Sequence, residues 1–171
     1  GGYTRGVPGL YKNVATFDFS SLYPSLEITY NISFETFMGN VTIKEEEHLV
    51  DKKTKISHVF EDKEDMKKFA EENGLIITPS DKTYVVKREE EVYHPYRFYT
   101  NKVIGVLPSV MIDLMGMRDD EKKLMKDAYQ RKQKYEPGTD EYKQAEIDYE
   151  RCYTKQLALK YIYNSNYGLN A

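Results

Sequence analysis

Asp18 ends a short apolar run, Val14 to Phe19 (VATFDF), and is the one acid in it. A carboxylate placed there must be paired, protonated or bound to a cation. Ser20-Ser21-Leu22-Tyr23-Pro24 follows at once, with hydroxyls at N-cap positions and a proline suited to the first turn of a helix running to about Tyr30. The backbone N–H groups of Ser21, Leu22 and Tyr23 would open that helix and can face an anion beside a cation held on Asp18. Mg²⁺, usually bound by one or two carboxylates together with substrate phosphates, fits this outline. The competing reading makes Asp18 a cap of the next helix, and the acid alone does not choose between them.

A second group of polar residues lies in the last third of the chain. Arg118 and Lys122 are four apart and share one helical face, while Lys160, Asn164 and Tyr167 share another. Lys160 stands next to an apolar stripe, a position from which a cation can be aimed at a phosphate in a cleft. Taken singly, each of these cations reads as well as an ordinary solvated or snorkelling side chain. Tyr167-Gly168 likewise reads as core plus a helix C-cap.

The elements that must carry these residues follow from periodicity. VATFDF has the composition of a buried strand, so a strand turns sharply into a helix at residues 20–24. From Leu107 to Lys134, and again from about Thr139 to Tyr167, the pattern is helical, with Pro137-Gly138 between. Tyr142, Ala145, Tyr149, Cys152, Gln156, Leu159 and Tyr163 step by three or four and form one stripe, and so short a turn predicts antiparallel packing of the two helices. Between them and the first segment, residues 41–104 read as a small α/β insertion. Asp62 to Asn73 has Met66, Phe69 and Ala70 on one helical face with Gly74 as C-cap, and Leu75 to Thr78 and Thr83 to Lys87 have strand composition. The runs Glu45-Glu46-Glu47 and Glu89-Glu90-Glu91 read as solvated faces rather than metal sites. The fold class expected is α+β: a strand–turn–helix over 1–40, the insertion, and a helical hairpin over 105–171.

Composition sets outer bounds. The 171 residues are 40% hydrophobic and carry a net charge of −3, with 16 Tyr and 7 Phe, which suits roughly one globular domain and excludes a disordered chain. No apolar run approaches the ~20 residues of a membrane-spanning helix. The single Cys152 excludes an intramolecular disulfide framework and a cysteine-cluster metal site, and fits a reducing compartment. Without a basic excess, any contact with nucleic acid must rest on local sites. The chain opens on Gly1-Gly2-Tyr3 without signal-peptide or targeting pattern, and reads as a piece of something longer.

Two segments together resemble family B, polymerase-alpha-like DNA polymerases. Asp18 to Ser25 reads DFSSLYPS, similar to the family's first palm motif DxxSLYPS, and Lys160 to Gly168 reads KYIYNSNYG, similar to the fingers motif KxxxNSxYG, preceded by Gln156-Leu157-Ala158-Leu159. Gly1-Gly2 resembles the end of the YxGG element between exonuclease and palm regions. Gly105-Val106-Leu107-Pro108 followed by Arg118 resembles the entry into the first fingers helix.

The resemblance implies the following roles. Asp18 would be one of two palm aspartates holding two catalytic Mg²⁺ ions, with the backbone carbonyl of Phe19 as a further ligand. Ser21 and Leu22 would offer backbone N–H groups to the triphosphate, and Tyr23 would stack under the sugar and exclude a 2′-OH. Arg118 and Lys160, with Lys122, would hold the β- and γ-phosphates, and Asn164 would orient neighbouring groups. Gly1, Gly2, Ser165, Tyr167 and Gly168 would lie along the DNA, Tyr167 and Gly168 against the nascent base pair and template. The partners implied are primer–template DNA, deoxynucleoside triphosphates and the remainder of the polymerase, in an intracellular replication setting, cellular or viral.

The YGDTDS motif that supplies the second palm aspartate has no match in this sequence, nor do the exonuclease motifs and the thumb. The expectation is therefore a palm segment with fingers whose remainder is on another chain, trimmed away or interrupted, and which is inactive by itself. Two further readings stand beside it. One is a protein-primed viral polymerase whose insertion contacts a terminal protein; the other is a non-enzymatic scaffold in which the helix pair binds a protein and Asp18 is structural. The polymerase reading expects Arg118, Lys160 and Asn164 on facing surfaces of the helix pair, towards the palm.

Overall fold

A computed structural model of the chain describes residues 7–15, 21–86 and 89–169, the side chains of 166–169 excepted. The architecture is α+β. Gly1, Gly2, Asp18 and Phe19, most of the expected VATFDF strand, and the side chain of Tyr167 lie outside the described residues, and of Gly168 only the backbone is described. Of that strand, Val14 is described: it is 70% exposed and not in a strand.

Helix α1 runs from Leu22 to Thr29, and its first hydrogen bond joins the Ser25 N–H to the Ser21 carbonyl at 3.0 Å. The chain then enters a mixed four-stranded sheet. Its strands are β1 (Phe37–Ile43), β2 (Ile56–Phe60), β3 (Leu75–Thr78) and, after a ribbon of β4 (Asp81–Val85) and β5 (Glu90–His94), β6 (Tyr96–Thr100). Helix α2 (Lys63–Asn73) lies between β2 and β3. The order across the sheet is β2-β1-β6-β3, with β1 and β2 parallel and the other pairs antiparallel. At the β1 bulge Gly39 has φ 135°, and a Cβ there would stand 2.5 Å from the Ser57 hydroxyl, so only glycine fits.

Local chemistry explains α2 directly. The Asp62 carboxylate accepts the N–H groups of Glu64 and Asp65, both at 2.9 Å, and Gly74 at φ 65° ends the helix in the left-handed region. Its inner face, Met66 and Ala70, closes a core made of Val41, Ile43, Phe60, Tyr96 and Phe98, flanked by Leu75 and Ile77. The rings of Phe69 and Phe98 stack at 6.0 Å.

Residues 31–36 form a turn that fastens this sheet to the helical hairpin. The Asn31 amide nitrogen donates to the carbonyls of Thr100 (2.7 Å) and Val103 (2.8 Å), and its oxygen accepts the Gly105 N–H. Gly105 precedes helix α3 (Val106–Lys132) without a side chain to cap it, so the cap comes from afar. The Glu35 carboxylate accepts the Val106 N–H, and the Ser33 hydroxyl donates to Glu35 at 2.7 Å. The Val106 N–H, first among causes, holds the Glu35 carboxyl below the usual carboxylate range. A Cβ on Gly105 would meet the Ser33 Cβ at 2.6 Å, which is why the chain has glycine at this close approach.

Helix α4 (Asp140–Leu169) returns antiparallel to α3 after the turn at Pro137-Gly138, where Gly138 has φ 97°. The expected stripe is the seam: Ala145, Cys152, Gln156, Leu159 and Tyr163 are buried, as are Met111, Glu121 and Ala128 on α3. Ion pairs cross it at successive levels. Arg131 meets Asp148 at 3.0 Å, Lys132 meets Glu146 at 2.6 Å, and Lys155 pairs with Glu121. The Lys155 hydrogen bond is the chief reason that the Glu121 carboxyl sits below its ordinary range despite burial. Helix α1 packs against both α3 and α4.

Candidate functional site

Where α1 meets the hairpin, two distant segments touch. Ser21, the residue before α1, has φ 57° and ψ 55°, an uncommon conformation for a residue with a side chain. Its hydroxyl was expected to cap α1 but makes no cap hydrogen bond; it pairs instead with the Tyr163 hydroxyl of α4 at 3.0 Å. The physical reason is the Tyr163 side chain, which is 1% exposed and whose hydroxyl therefore needs a partner inside the protein.

The face of the same ring carries the Arg118 guanidinium, 5.8 Å from the ring centroid. Arg118 Nε also donates to the Gln156 side-chain oxygen at 3.3 Å. Arg118 is thus held in the seam between α3 and α4, and its two terminal nitrogens have no partner among the described residues. On α4, Lys160 precedes Tyr163 by three positions and Asn164 follows it directly. Both side chains are exposed on the flank of the seam and have no hydrogen-bond or ion-pair partner among the described residues.

The other expected site residues are placed less tightly. Leu22 and Tyr23 stand on the first turn of α1, 40% and 49% exposed. Lys122 Nζ pairs with Asp119 on its own helix at 3.0 Å, with its side chain 41% exposed. The Ser165 hydroxyl donates back to the Ile162 carbonyl at 2.8 Å. Among the described residues no group of three or more His, Cys, Asp or Glu side chains could hold a metal ion. Asp18 has the hard oxygen chemistry that Mg²⁺ prefers, but it lies outside the described residues.

Tyr163 and Gln156 were legible in the sequence only as members of the buried stripe. A hydroxyl and an amide in an otherwise apolar seam were the available signal, because buried polar groups require partners. A cleft of about 440 Å³ between α1, the 31–36 turn and the sheet, lined by Phe34, Phe37, Arg97, Tyr99 and Leu107 among others, contains none of the site residues above.

The junction thus joins the DFSSLYPS segment to the KYIYNSNYG segment, and the family model of DNA polymerase family B matches residues 6–171. The chain belongs to DNA polymerase family B. It is 28% identical over 131 residues to "DNA polymerase 120R" of Invertebrate iridescent virus 3, a match covering 66% of this chain and 12% of that protein. To "DNA polymerase 2" of Saccharolobus solfataricus it is 42% identical over 76 residues, covering 41% of this chain and 12% of that protein. A third match, 52% over 40 residues, is to "DNA polymerase 037L" of Invertebrate iridescent virus 6 and covers 23% of this chain and 3% of that protein. The chain thus spans about an eighth of the first two relatives' length. No solved structure matches it. Among the described residues no helix is long and apolar enough to cross a membrane.

Proposed function

We propose that this chain forms the incoming-nucleotide side of the active site of a template-dependent DNA polymerase. The observation that carries the reading is the contact of Ser21, Tyr163 and Arg118, which brings the first-turn segment and both long helices to one place. An anion set against the Ser21–Leu22 backbone there would find N–H donors at a helix start and, across the junction, cations on α3 and α4.

In this reading the Ser21 and Leu22 N–H groups meet the triphosphate, and Arg118 and Lys160 hold its β- and γ-phosphates. Lys122 adds charge one helical turn from Arg118, and Asn164 orients the groups beside it. Tyr23 lies under the sugar and leaves no room for a 2′-OH. Gly1, Gly2, Ser165, Tyr167 and Gly168 follow the primer–template DNA. Asp18 and the Phe19 carbonyl would be ligands of Mg²⁺, whose chemistry when bound is to lower the pKa of the primer 3′-OH and stabilise charge on the attacking and leaving oxygens. The second aspartate of that site, the thumb and the exonuclease come from the remainder of the polymerase, and the chain alone does not turn over. Mounting the cations on a helix pair lets closure complete the site only around a nucleotide that pairs correctly.

Primer extension tests this with the chain alone and mixed with a polypeptide carrying the second palm aspartate. Incorporation in the mixture alone, lost on Asp18→Asn with primer–template binding retained, is the expected result. Incorporation that survives Asp18→Asn and Arg118→Ala together would overturn the reading.

A further inference from the structure

Resting on that nucleotide-site reading, we propose that Tyr163 is a positioning residue for the incoming nucleotide: its side chain clasps the Ser21 turn and the Arg118 guanidinium into one fixed register. Tyr163 occupies a variable position of KxxxNSxYG, so the motif itself does not demand it. A leucine or isoleucine would fill the same seam without introducing a hydroxyl that has to be satisfied. This chain instead buries a tyrosine, at 1% exposure, and satisfies its hydroxyl across 142 residues of sequence.

The partner's side of the contact is equally specific. Ser21 leaves α1 without a side-chain cap and directs its hydroxyl to Tyr163, from a left-handed backbone conformation that a residue with a Cβ rarely adopts. Such a conformation persists where its surroundings hold it, and the hydroxyl pair is a direct tether on that residue. The ring supplies the second attachment. With Nε engaged by Gln156 and the guanidinium over the ring, Arg118 keeps one orientation and leaves its terminal nitrogens to an anion.

Tyr163 also shares a helix with Lys160 and Asn164, three positions on one side and one on the other. The backbone donors of the turn, the Arg118 fork and the Lys160 ammonium therefore take their separation from a single side chain. A shift of α4 that moves Lys160 either carries the Ser21 turn with it or separates the two hydroxyls. Tyr163 thus governs how well the triphosphate is held, and leaves the chemical step to other groups.

The test is a double-mutant cycle of Ser21→Ala and Tyr163→Phe, read as KM and kcat for dATP incorporation in the extension mixture, with Lys160→Ala as reference. Tyr163→Phe keeps the ring, its packing and the Arg118 contact, and Ser21→Ala keeps the backbone donors. Each single change is expected to raise KM about fivefold with kcat within about twofold, and the pair to be no worse than either alone. Effects that multiply, or singles that leave KM unchanged while Lys160→Ala raises it, overturn the clasp and leave the nucleotide site standing. Lys160→Ala without effect, or no incorporation by any mixture, removes the nucleotide-site reading and the clasp with it.

Discussion

The Asn31 side-chain oxygen accepts the Gly105 backbone N–H at 2.8 Å, joining the end of α1 to the start of α3 across 74 residues. The same side chain donates to the Thr100 and Val103 carbonyls, so one amide satisfies three backbone groups around the joint. Asn31 has φ 52°, a conformation that asparagine tolerates better than most residues. Sheet, first helix and hairpin are therefore referred to each other through one buried residue, 7% exposed.

Asn31→Ala is expected to lower stability by about 3 kcal/mol, because it leaves a donor and two carbonyls without this partner. Asn31→Asp should be at least as damaging at neutral pH, since it sets an anionic oxygen against two carbonyls. Urea unfolding measures both, and a loss below about 1 kcal/mol for the alanine variant would show that the joint is held elsewhere.

Glu35 makes the joint sensitive to acid. Its carboxyl is lowered first by the Val106 N–H, so its folded-state pKa lies below the unfolded one. The stabilisation it gives is complete above the unfolded value and disappears as pH falls through the lowered folded value. Glu35→Gln should therefore cost stability at pH 7 and lose that difference in strong acid. A difference independent of pH would assign the cost to packing rather than to charge.

Lys122 and Lys160 should respond differently to truncation. Lys160 has no ion-pair partner among the described residues, whereas Lys122 already pairs with Asp119 on its own helix. Lys160→Ala is expected to raise nucleotide KM by about tenfold and Lys122→Ala by less than about threefold, measured by steady-state incorporation. The reverse order would place the phosphates along α3.

Tyr23 stands half-exposed on the first turn of α1, where the proposed site would set it under the sugar of the incoming nucleotide. In the extension mixture Tyr23→Ala should improve ribonucleotide use relative to deoxynucleotide by about tenfold or more. Unchanged discrimination in single-nucleotide incorporation would remove its role in sugar selection.

What the sequence made legible was local. The helix expected from Asp62 to Asn73, its Gly74 stop and the strand Leu75–Thr78 all appear where their residues indicate, because stops and short periodic runs depend on near neighbours. The hairpin was legible for the same reason: its buried stripe is written at steps of three and four. The order β2-β1-β6-β3 was not, since strand pairing is decided between distant segments, and β1, β2, β5 and β6 were missed altogether. Ser21 shows the limit at the site itself. Its type and place predict a helix cap, and a tyrosine 142 residues away takes its hydroxyl instead. Spacing placed Arg118, Lys160 and Asn164 on their two helices, but gave no sign that Gln156 and Tyr163 hold Arg118.

The ion pairs spaced along the hairpin also give it a mechanical ratio. Arg131–Asp148 and Lys132–Glu146 brace its far end, Lys155–Glu121 its middle, and the Arg118–Gln156 hydrogen bond its base, so any tilt about the joint at Gly105 would carry the two helices together and would have to break the Ser21–Tyr163 contact. The 27 residues of α3 make an arm ~40 Å long, so a tilt of ~10° moves the far tip by roughly 7 Å but Arg118 by roughly 3 Å. A distance label at Glu136 would therefore report any such tilt at about twice the amplitude at Arg118.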